Sequence, residues 1–499
     1  MLLIRADADT RMGTGHVMRC LALAQAWQDA GGRVTFLSAA LPPGLEARLG
    51  AEGMRVVTLA ADAGQTARTA QELGADWVVL DGYQFDTGYQ KALKDAGARL
   101  LVLDDNGEAG TYHADLVLNQ NVHARAEWYE SRAPHTRLLL GTRYALLRRE
   151  FRVWRDSPRE TPEVVRRILV TLGGSDPDNV TLKVLDALAL IRREGLEATV
   201  VIGGGNPHRA GLEDAAARMP FPVRVVVNAA DMPELMAWAD VAVSAGGSTV
   251  WELAFLGVPS LLLVTAENQL GVAEGMRVRG ATHSLGWAGE QTALSLASSL
   301  TALLDDPARR SKMSRQARAL VDGRGAERVL RTLREEPLRL RRATPDDCRR
   351  VWEWANDPAV RASAFSSEAI GWEEHRRWFS EKLQDPDCFF FIALDGREEP
   401  VGQIRFDIVT PEDGVRHAEV DVSVDATRRG QGLGAVLIRA GVGELSRLAL
   451  LEVILAHAKT ENLGSRQAFA AAGFSETGLV RIKGYEAVSL RCETEYVPA

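Results

Sequence analysis

Cysteine is scarce in this chain. The 499 residues include four, Cys20, Cys348, Cys388 and Cys492, far apart, with no CxxC pair and no His/Cys spacing suited to zinc. A disulfide framework and a zinc module are not expected, and the thiols read as reduced cysteines of a cytoplasmic enzyme. No apolar run approaches the roughly 20 residues of a membrane span. The N-terminus has neither a basic segment nor a small-residue cleavage site, so no membrane association or export is expected. Positive charge is not in excess: 59 Lys and Arg against 67 Asp and Glu give a formal charge of −8. That balance argues against a general affinity for nucleic acid and leaves small molecules as the expected partners. No metal-ligand cluster stands out, and no metal is expected.

What is present is the composition of an ordinary globular protein, 46% hydrophobic and 25% charged. The length suggests roughly three to four folding units. The first twenty residues set the pattern. Leu2 to Ile4 reads as a buried strand, the polar residues to Thr14 as a loop, and the residues from Val17 as a helix. Gly13 and Gly15 let backbone amides approach a ligand, the helix N-terminus favours an anion, and His16 is presented at the same point. Two readings stay open on these residues alone. His16 is either a catalytic group beside a sugar phosphate, with Arg5, Asp7 and Arg19 nearby, or a helix cap beside a structural ion-pair cluster.

To about residue 152, apolar strands alternate with helices. Strands are expected at 34–37, 56–59, 77–80, 100–103 and 116–118, with helical stretches such as 22–30 between them. This is the pattern of a parallel sheet wound on both faces. Ligands bind such sheets at the carboxyl ends of strands, where Asp81, Tyr83, Asp104 and Asp105 fall. A polar, proline-containing linker (153–163) leads to a second α/β pattern with glycine turns at Gly173-Gly174 and Gly203–Gly205. Its most informative string is Asp240-Val-Ala-Val-Ser-Ala-Gly-Gly-Ser-Thr-Val-Trp-Glu252. Gly246, Gly247, Ser248 and Thr249 at a helix start suit a diphosphate, and Glu252 about one turn on could accept hydrogen bonds from ribose hydroxyls.

These segments resemble the UDP-2,4-diacetamido-2,4,6-trideoxy-β-L-altropyranose hydrolases of pseudaminic acid biosynthesis. The likeness runs through Ile4-Arg-Ala-Asp7, Gly13-Thr-Gly-His16, Met18 to Ala24, Asp81-Gly-Tyr83, Leu118-Asn-Gln120, Gly141 to Arg148, Leu172 to Pro177, Ser244 to Thr249 and Glu267-Asn-Gln269. It implies two Rossmann-like domains in a GT-B arrangement, 1–152 and 164–333. The second would hold UDP and the first would present His16, the family's proposed catalytic residue, to the sugar. Arg5, Asp7, Gly13, Gly15, Arg19, Asp81, Tyr83, Asp105, Gly174, Asn268 and Gln269 then join Glu252 and the Gly246–Thr249 turn as expected substrate contacts.

Helical sequence over 307–333 is expected to close this half, and Glu335-Glu-Pro337 is a short boundary. A strand at 338–343 and a helix start with proline at its first position, Thr344-Pro-Asp-Asp347, open a third domain, 338–499, of α+β type. Trp352, Trp354, Trp372 and Trp378 read as core packing. Strands are expected at 388–394 and 401–408. An alternating strand, 418–425, then runs into Arg429-Gly-Gln-Gly-Leu-Gly434 and a helix over 435–448, with a further strand at 453–456.

This string resembles the pyrophosphate loop of the GNAT superfamily of N-acetyltransferases. The resemblance implies acetyl-CoA as cosubstrate, held by Arg429, Gly430, Gln431, Gly432, Leu433 and Gly434, with Asn462 and Ser465 beyond. Val422 and Val424 would lend backbone groups to the pantetheine arm. Glu419 would accept the amine proton, though an ion pair with a neighbouring arginine is an equal reading of that residue. The tyrosine that many such enzymes place after the asparagine motif is replaced by Phe469, so Tyr485 or no group at all would protonate the thiolate, or the domain is a noncatalytic CoA-binding module. Together the two halves imply a bifunctional enzyme with a UDP-linked amino sugar and acetyl-CoA as its partners.

Overall fold

A computed structural model describes residues 1–9, 13–59, 62–133, 135–157, 159–174, 176–335, 338–411, 416–449, 451 and 453–493. Of the stretches singled out above, residues 10–12, Pro158, Ser175, Glu336 and Pro337 lie outside the described residues, as do 494–499 of the third domain. The chain folds into two compact units, Met1–Leu333 and Arg334–Ala499.

The first unit contains two parallel sheets. One is built from β1 (Leu2–Ala6), β2 (Val34–Ser38), β3 (Arg55–Thr58), β4 (Trp77–Asp81), β5 (Leu100–Leu103), β6 (Leu116–Asn119) and β7 (Arg137–Leu140). Its order is β3-β2-β1-β4-β5-β6-β7. β1, β2, β4, β5 and β6 are buried along their whole length, which explains why their sequences are continuous apolar runs rather than alternating ones. β7 was not expected. The other sheet comprises β8 (Arg167–Thr171), β9 (Glu197–Ile202), β10 (Val223–Val227), β11 (Val241–Ala245), β12 (Ser260–Val264) and β13 (His283–Trp287), in the order β10-β9-β8-β11-β12-β13. Both orders are Rossmann-like and reverse direction once, between β1 and β4 and between β8 and β11. At such a reversal the adjoining loops part and leave a crevice at the carboxyl ends of the strands.

The helical end of this unit differs from expectation. Two helices, Pro307–Leu320 and Gly325–Arg334, replace one continuous stretch. The break comes at Gly323, whose φ of +72° is strained for other residues and where a Cβ would lie 2.4 Å from the Phe255 ring. After the break the chain returns to the first domain. Ala326, Val329 and Leu333 join the core under β1, and the Trp77 indole donates to the Leu333 carbonyl at 2.8 Å.

The second unit holds a mixed sheet of β14 (Arg339–Arg342), β15 (Cys388–Leu394), β16 (Pro400–Val409), β17 (His417–Val424), β18 (Val453–Lys459), β19 (Ser475–Ile482) and β20 (Tyr485–Glu493). The order is β14-β15-β16-β17-β18-β20-β19. Neighbours are antiparallel except β17 and β18, which run parallel and pair only at Ala418 with Ile454 and Glu419 with Leu455. One face packs on the helices Leu433–Leu448 and Leu463–Ala471. On the other, Cys388, Phe390, Ile392 and Leu394 pack on Val351, Trp354 and Phe379. Trp354 is buried there as expected. Trp352 and Trp372 are only half-buried and meet edge to face at 5.7 Å, with the Arg349 guanidinium 4.7 and 5.3 Å from their ring centres.

Candidate active sites

In the first unit the expected glycine loop leads from β1 into the helix Gly15–Asp29, with His16 in its first turn. β4 lies beside β1, with Ala6 opposite Asp81, so the Asp81 carboxylate comes up directly beneath His16. His16 Nδ1 is 2.6 Å from Asp81 Oδ1. An anionic partner at that distance favours the tautomer with its hydrogen on Nδ1 and leaves Nε2 able to accept a proton. Arg19 lies one turn on and donates through Nε and Nη2 to Asp81 and through Nη1 to Asp105, each at 2.7 Å. Burial by itself would raise the Asp81 pKa, but Arg19 and His16 outweigh it and hold the group well below the usual carboxylate range. Arg19 also lowers the Asp105 pKa against the effect of burial.

Several expected substrate contacts are otherwise engaged. Asp81 is fully buried and also accepts from the Cys20 thiol at 3.3 Å. It supports His16 and Arg19 and does not face the crevice. Arg5 is fully buried, paired with Asp7 at 2.6 Å and stacked on Phe85. Asp7 in turn accepts from Ser38, Ala39 and Gln84. These two residues form the structural ion pair of the alternative reading, while Arg19 belongs to the His16 cluster. Asp105 keeps a partly open carboxylate held by Arg19 and Asn121. Tyr83 meets the His16 ring edge-on at 5.1 Å and accepts from Asn268 Nδ2 at 2.8 Å. Burial and the Asp105 charge push its pKa up to about 12.

The second domain contributes the turn after β11. The Gly246 amide is taken by the Leu263 carbonyl and Gln269 Oε1, at 3.2 and 3.3 Å, so it is not the free donor expected. The Gly247, Ser248 and Thr249 amides have no acceptor among the described residues. Gln269 is structural through Oε1, which also accepts from the Thr265 amide and hydroxyl. A Cβ at Gly15 would lie 3.6 Å from Ser248 Oγ, and one at Gly174 would lie 3.6 Å from Thr14 Oγ1. Two helix N-termini, Gly15–Asp29 and Thr249–Leu256, therefore meet across the crevice. Both favour an anion. The turn after β8 is closed by contrast, because Asp176 caps Val180 and Thr181 with its own carboxylate. Glu252 is held on one oxygen by Arg148 at 2.8 Å, while its second oxygen has no hydrogen bond to a described residue. Burial raises the Glu252 pKa against the pull of Arg148. Arg148 and Asn121 had not been singled out as site residues, although Arg148 ends the Gly141–Arg148 motif.

In the second unit, β17 leads into Arg429–Gly434 and the helix Leu433–Leu448. Gly430 and Gly432 have φ of +76° and +80°, and the six amides from Arg429 to Gly434 have no acceptor among the described residues. They form a cradle for an anion. Side chains here depart from expectation. The Arg429 guanidinium caps the Val424 carbonyl at 3.0 Å and pairs with Asp357 at 2.6 Å. That engagement occupies one lone pair of the Val424 carbonyl and ties Arg429 down. Leu433 is buried, so only its amide faces the loop, and Gln431 reaches back to the Thr427 carbonyl. Asn462 caps the helix Leu463–Ala471 by accepting from the Ser465 amide at 3.0 Å. The edge of β17 carrying Val422 is open toward β18. The Glu419 side chain is exposed and makes no ion pair or hydrogen bond to a described residue, so the expected alternative of an arginine partner is not what the fold adopts.

Residues 167–329 match the glycosyltransferase family 28 C-terminal domain, and residues 337–475 match the acetyltransferase (GNAT) domain. A UDP-2,4-diacetamido-2,4,6-trideoxy-beta-L-altropyranose hydrolase of Campylobacter jejuni is 25% identical over 56% of this chain and 97% of its own length. The spore coat polysaccharide biosynthesis protein SpsG of Bacillus subtilis is 26% identical over 49% of this chain and 72% of its own length. An uncharacterised protein of Methanocaldococcus jannaschii is 22% identical over 81% of this chain and 82% of its own length. No described helix is long and apolar enough to cross a membrane. The chain is thus a fusion of a two-Rossmann-domain segment, homologous to the UDP-2,4-diacetamido-2,4,6-trideoxy-β-L-altropyranose hydrolases, with a C-terminal GNAT acetyltransferase domain.

Proposed function

We propose that this chain catalyses two consecutive steps of pseudaminic acid biosynthesis in the cytoplasm, with three domains at 1–152, 164–333 and 338–499. The third acetylates the 4-amino group of UDP-4-amino-4,6-dideoxy-N-acetyl-β-L-altrosamine, using acetyl-CoA. The first two hydrolyse the product to UDP and the free 2,4-diacetamido sugar. The observation that carries this reading is the His16–Asp81 contact of 2.6 Å at a crevice where two helix N-termini meet.

In hydrolysis, His16 Nε2 takes a proton from water as its oxygen bonds to the anomeric carbon, and the bond from that carbon to the UDP oxygen breaks. Asp81 stabilises the resulting imidazolium. The free amides of Gly247, Ser248 and Thr249 receive the diphosphate charge, an effect of the kind worth about 3 kcal/mol per donor. Glu252, oriented by Arg148, offers its free oxygen to ribose. Asp105 and Tyr83 face the sugar. In acetyl transfer, the amides of Arg429 to Gly434 bind the CoA pyrophosphate, the open edge of β17 at Val422 guides the pantetheine arm, and Glu419 deprotonates the incoming ammonium.

Substitution His16→Ala should abolish UDP release and leave acetylation intact, whereas Gly432→Trp should block CoA binding alone. Loss of both activities by either variant, in protein that remains folded, contradicts the assignment. The glycosyltransferase match at 167–329 favours a second reading, transfer of the sugar to a non-water acceptor. Release of free reducing sugar with no acceptor present excludes it.

A further inference from the structure

Acetyl transfer to an amine moves one proton from nitrogen to sulfur. The C–N bond forms, the C–S bond breaks, and the amine hydrogen ends on the CoA thiol. At the position after the asparagine motif, Phe469 is buried with its ring against Phe474 at 5.0 Å. Tyr485 lies at the start of β20 with the Lys459 ammonium over its ring at 4.0 Å.

The split between β17 and β18 presents another group. Strand alternation places Ala418, Ile454, Ala456 and Ala458 in the core and turns Glu419, Asp421, Leu455, His457 and Lys459 to the opposite face. His457 therefore stands two residues, about 7 Å, beyond the last paired position, on the face that carries Glu419 and Asp421. Its Nδ1 is buried and has no hydrogen-bond partner among the described residues. A buried polar atom without a partner is unfavourable, and a ligand that supplies one relieves it. The short helix Pro358–Ser363 bridges the split. Its N-cap Asp357 pairs with Arg429 of the glycine loop, and its Ala362 carbonyl accepts from Lys459 of β18 at 2.9 Å.

We propose that His457 is a catalytic residue that carries the proton from the acceptor nitrogen to the CoA sulfur. This rests on the acetyl-transfer reading above. With the ring neutral and its hydrogen on Nε2, Nδ1 takes the amine proton as the C–N bond forms. The imidazolium returns that proton to the thiolate as the C–S bond breaks, so the ring ends as it began. Glu419 has by then taken the separate proton that turns the incoming ammonium into an amine. The charged and titratable groups on this face include Glu419 and Asp421 on β17, Asp407 and Arg405 opposite them on β16, Cys388 on β15, Lys459 on β18, and Tyr485, Arg491 and Glu493 on β20. Lys382 pairs with Asp407, and Asp357 and Arg361 belong to the bridging helix.

The test uses full-length His457→Phe, His457→Gln and Tyr485→Phe. Acetyl-CoA turnover is followed with the 4-amino UDP-sugar and with spermidine and glucosamine, and CoA affinity by calorimetry. The ultraviolet thiolate absorbance of bound CoA is titrated with pH. His457→Phe should lower kcat at least 100-fold, within the usual range for proton-transfer catalysis of about 10²–10⁴. It should leave the KM for acetyl-CoA and the Kd for CoA unchanged, and remove the acid limb of the pH–kcat profile. It should also raise the pH at which bound CoA ionises, because an imidazolium beside the sulfur favours thiolate. An unchanged kcat with normal CoA affinity overturns the proposal, as does loss of the acid limb in Tyr485→Phe but not in His457→Phe. The thiolate titration needs no acceptor. Acetylation of another amine but not of the sugar nucleotide would sink the amine assignment, and His457 would still be judged by that titration. Identical titrations in wild type and His457→Phe contradict the proposal whichever amine is used.

Discussion

Asp81 decides what His16 can do. Its carboxylate meets His16, Arg19 and Cys20 at once, so Asp81→Asn removes the counter-charge for an imidazolium and the preference for one tautomer. UDP release should fall by about 10²–10⁴-fold, with little change in KM, measured by steady-state kinetics on the diacetamido UDP-sugar. The same carboxylate gives a pH signature. Its folded pKa lies below the ordinary 3.8, so its contribution to stability is complete above that value and is lost as pH falls toward the folded pKa. The stability difference between wild type and Asp81→Asn, from urea unfolding, should be constant from pH 7 to pH 5 and shrink below pH 4. His16 was legible from the local order of strand, glycine loop and helix. The role of Asp81 was not, because the two residues are 65 apart and meet only through the pairing of β1 with β4.

At the scale of elements, the turn after β11 depends on close approach. A Cβ at Gly246 would lie 2.9 Å from Gln269 Cβ and 3.1 Å from the Gln269 carbonyl oxygen, so Gly246→Ala must displace the segment Glu267–Gln269. That segment holds Asn268 against Tyr83 and Gln269 against Thr265. UDP affinity measured by calorimetry should fall about tenfold, near 1.4 kcal/mol; an unchanged Kd would show that this turn does not shape the nucleotide site. Glycine turns after apolar strands were readable because the chemistry of the turn is local. The occupied Gly246 amide, the tie from Arg429 to Asp357 and the cap formed by Asn462 were not, since each depends on which side chain the fold brings alongside. The break at Gly323 escaped for the same reason: Phe255, far away in sequence, is what fits against it. β7 has only Leu138 to Leu140 as an apolar run between Arg137 and Gly141, too short to distinguish from a loop.

For the whole molecule, the kinds of sheet follow from the sequence pattern, whereas the strand orders come from the fold. Continuous apolar strands alternating with helices give the two parallel sheets, and the alternating strand before a glycine loop gives the mixed one. Each compact unit carries its own turn of backbone amides without acceptors among the described residues, so the two proposed chemistries would share no residues. In the proposed function the product of acetylation is the substrate of hydrolysis, and this order is the central claim. The measurement that tests it most directly is a mass-resolved time course with purified protein, acetyl-CoA and the 4-amino UDP-sugar, following acetylated UDP-sugar, free sugar and UDP together. Acetylated UDP-sugar should rise first, then decline as UDP and free 2,4-diacetamido sugar accumulate in equal amounts. Release of UDP from the unacetylated sugar, with acetyl-CoA unconsumed, would contradict it.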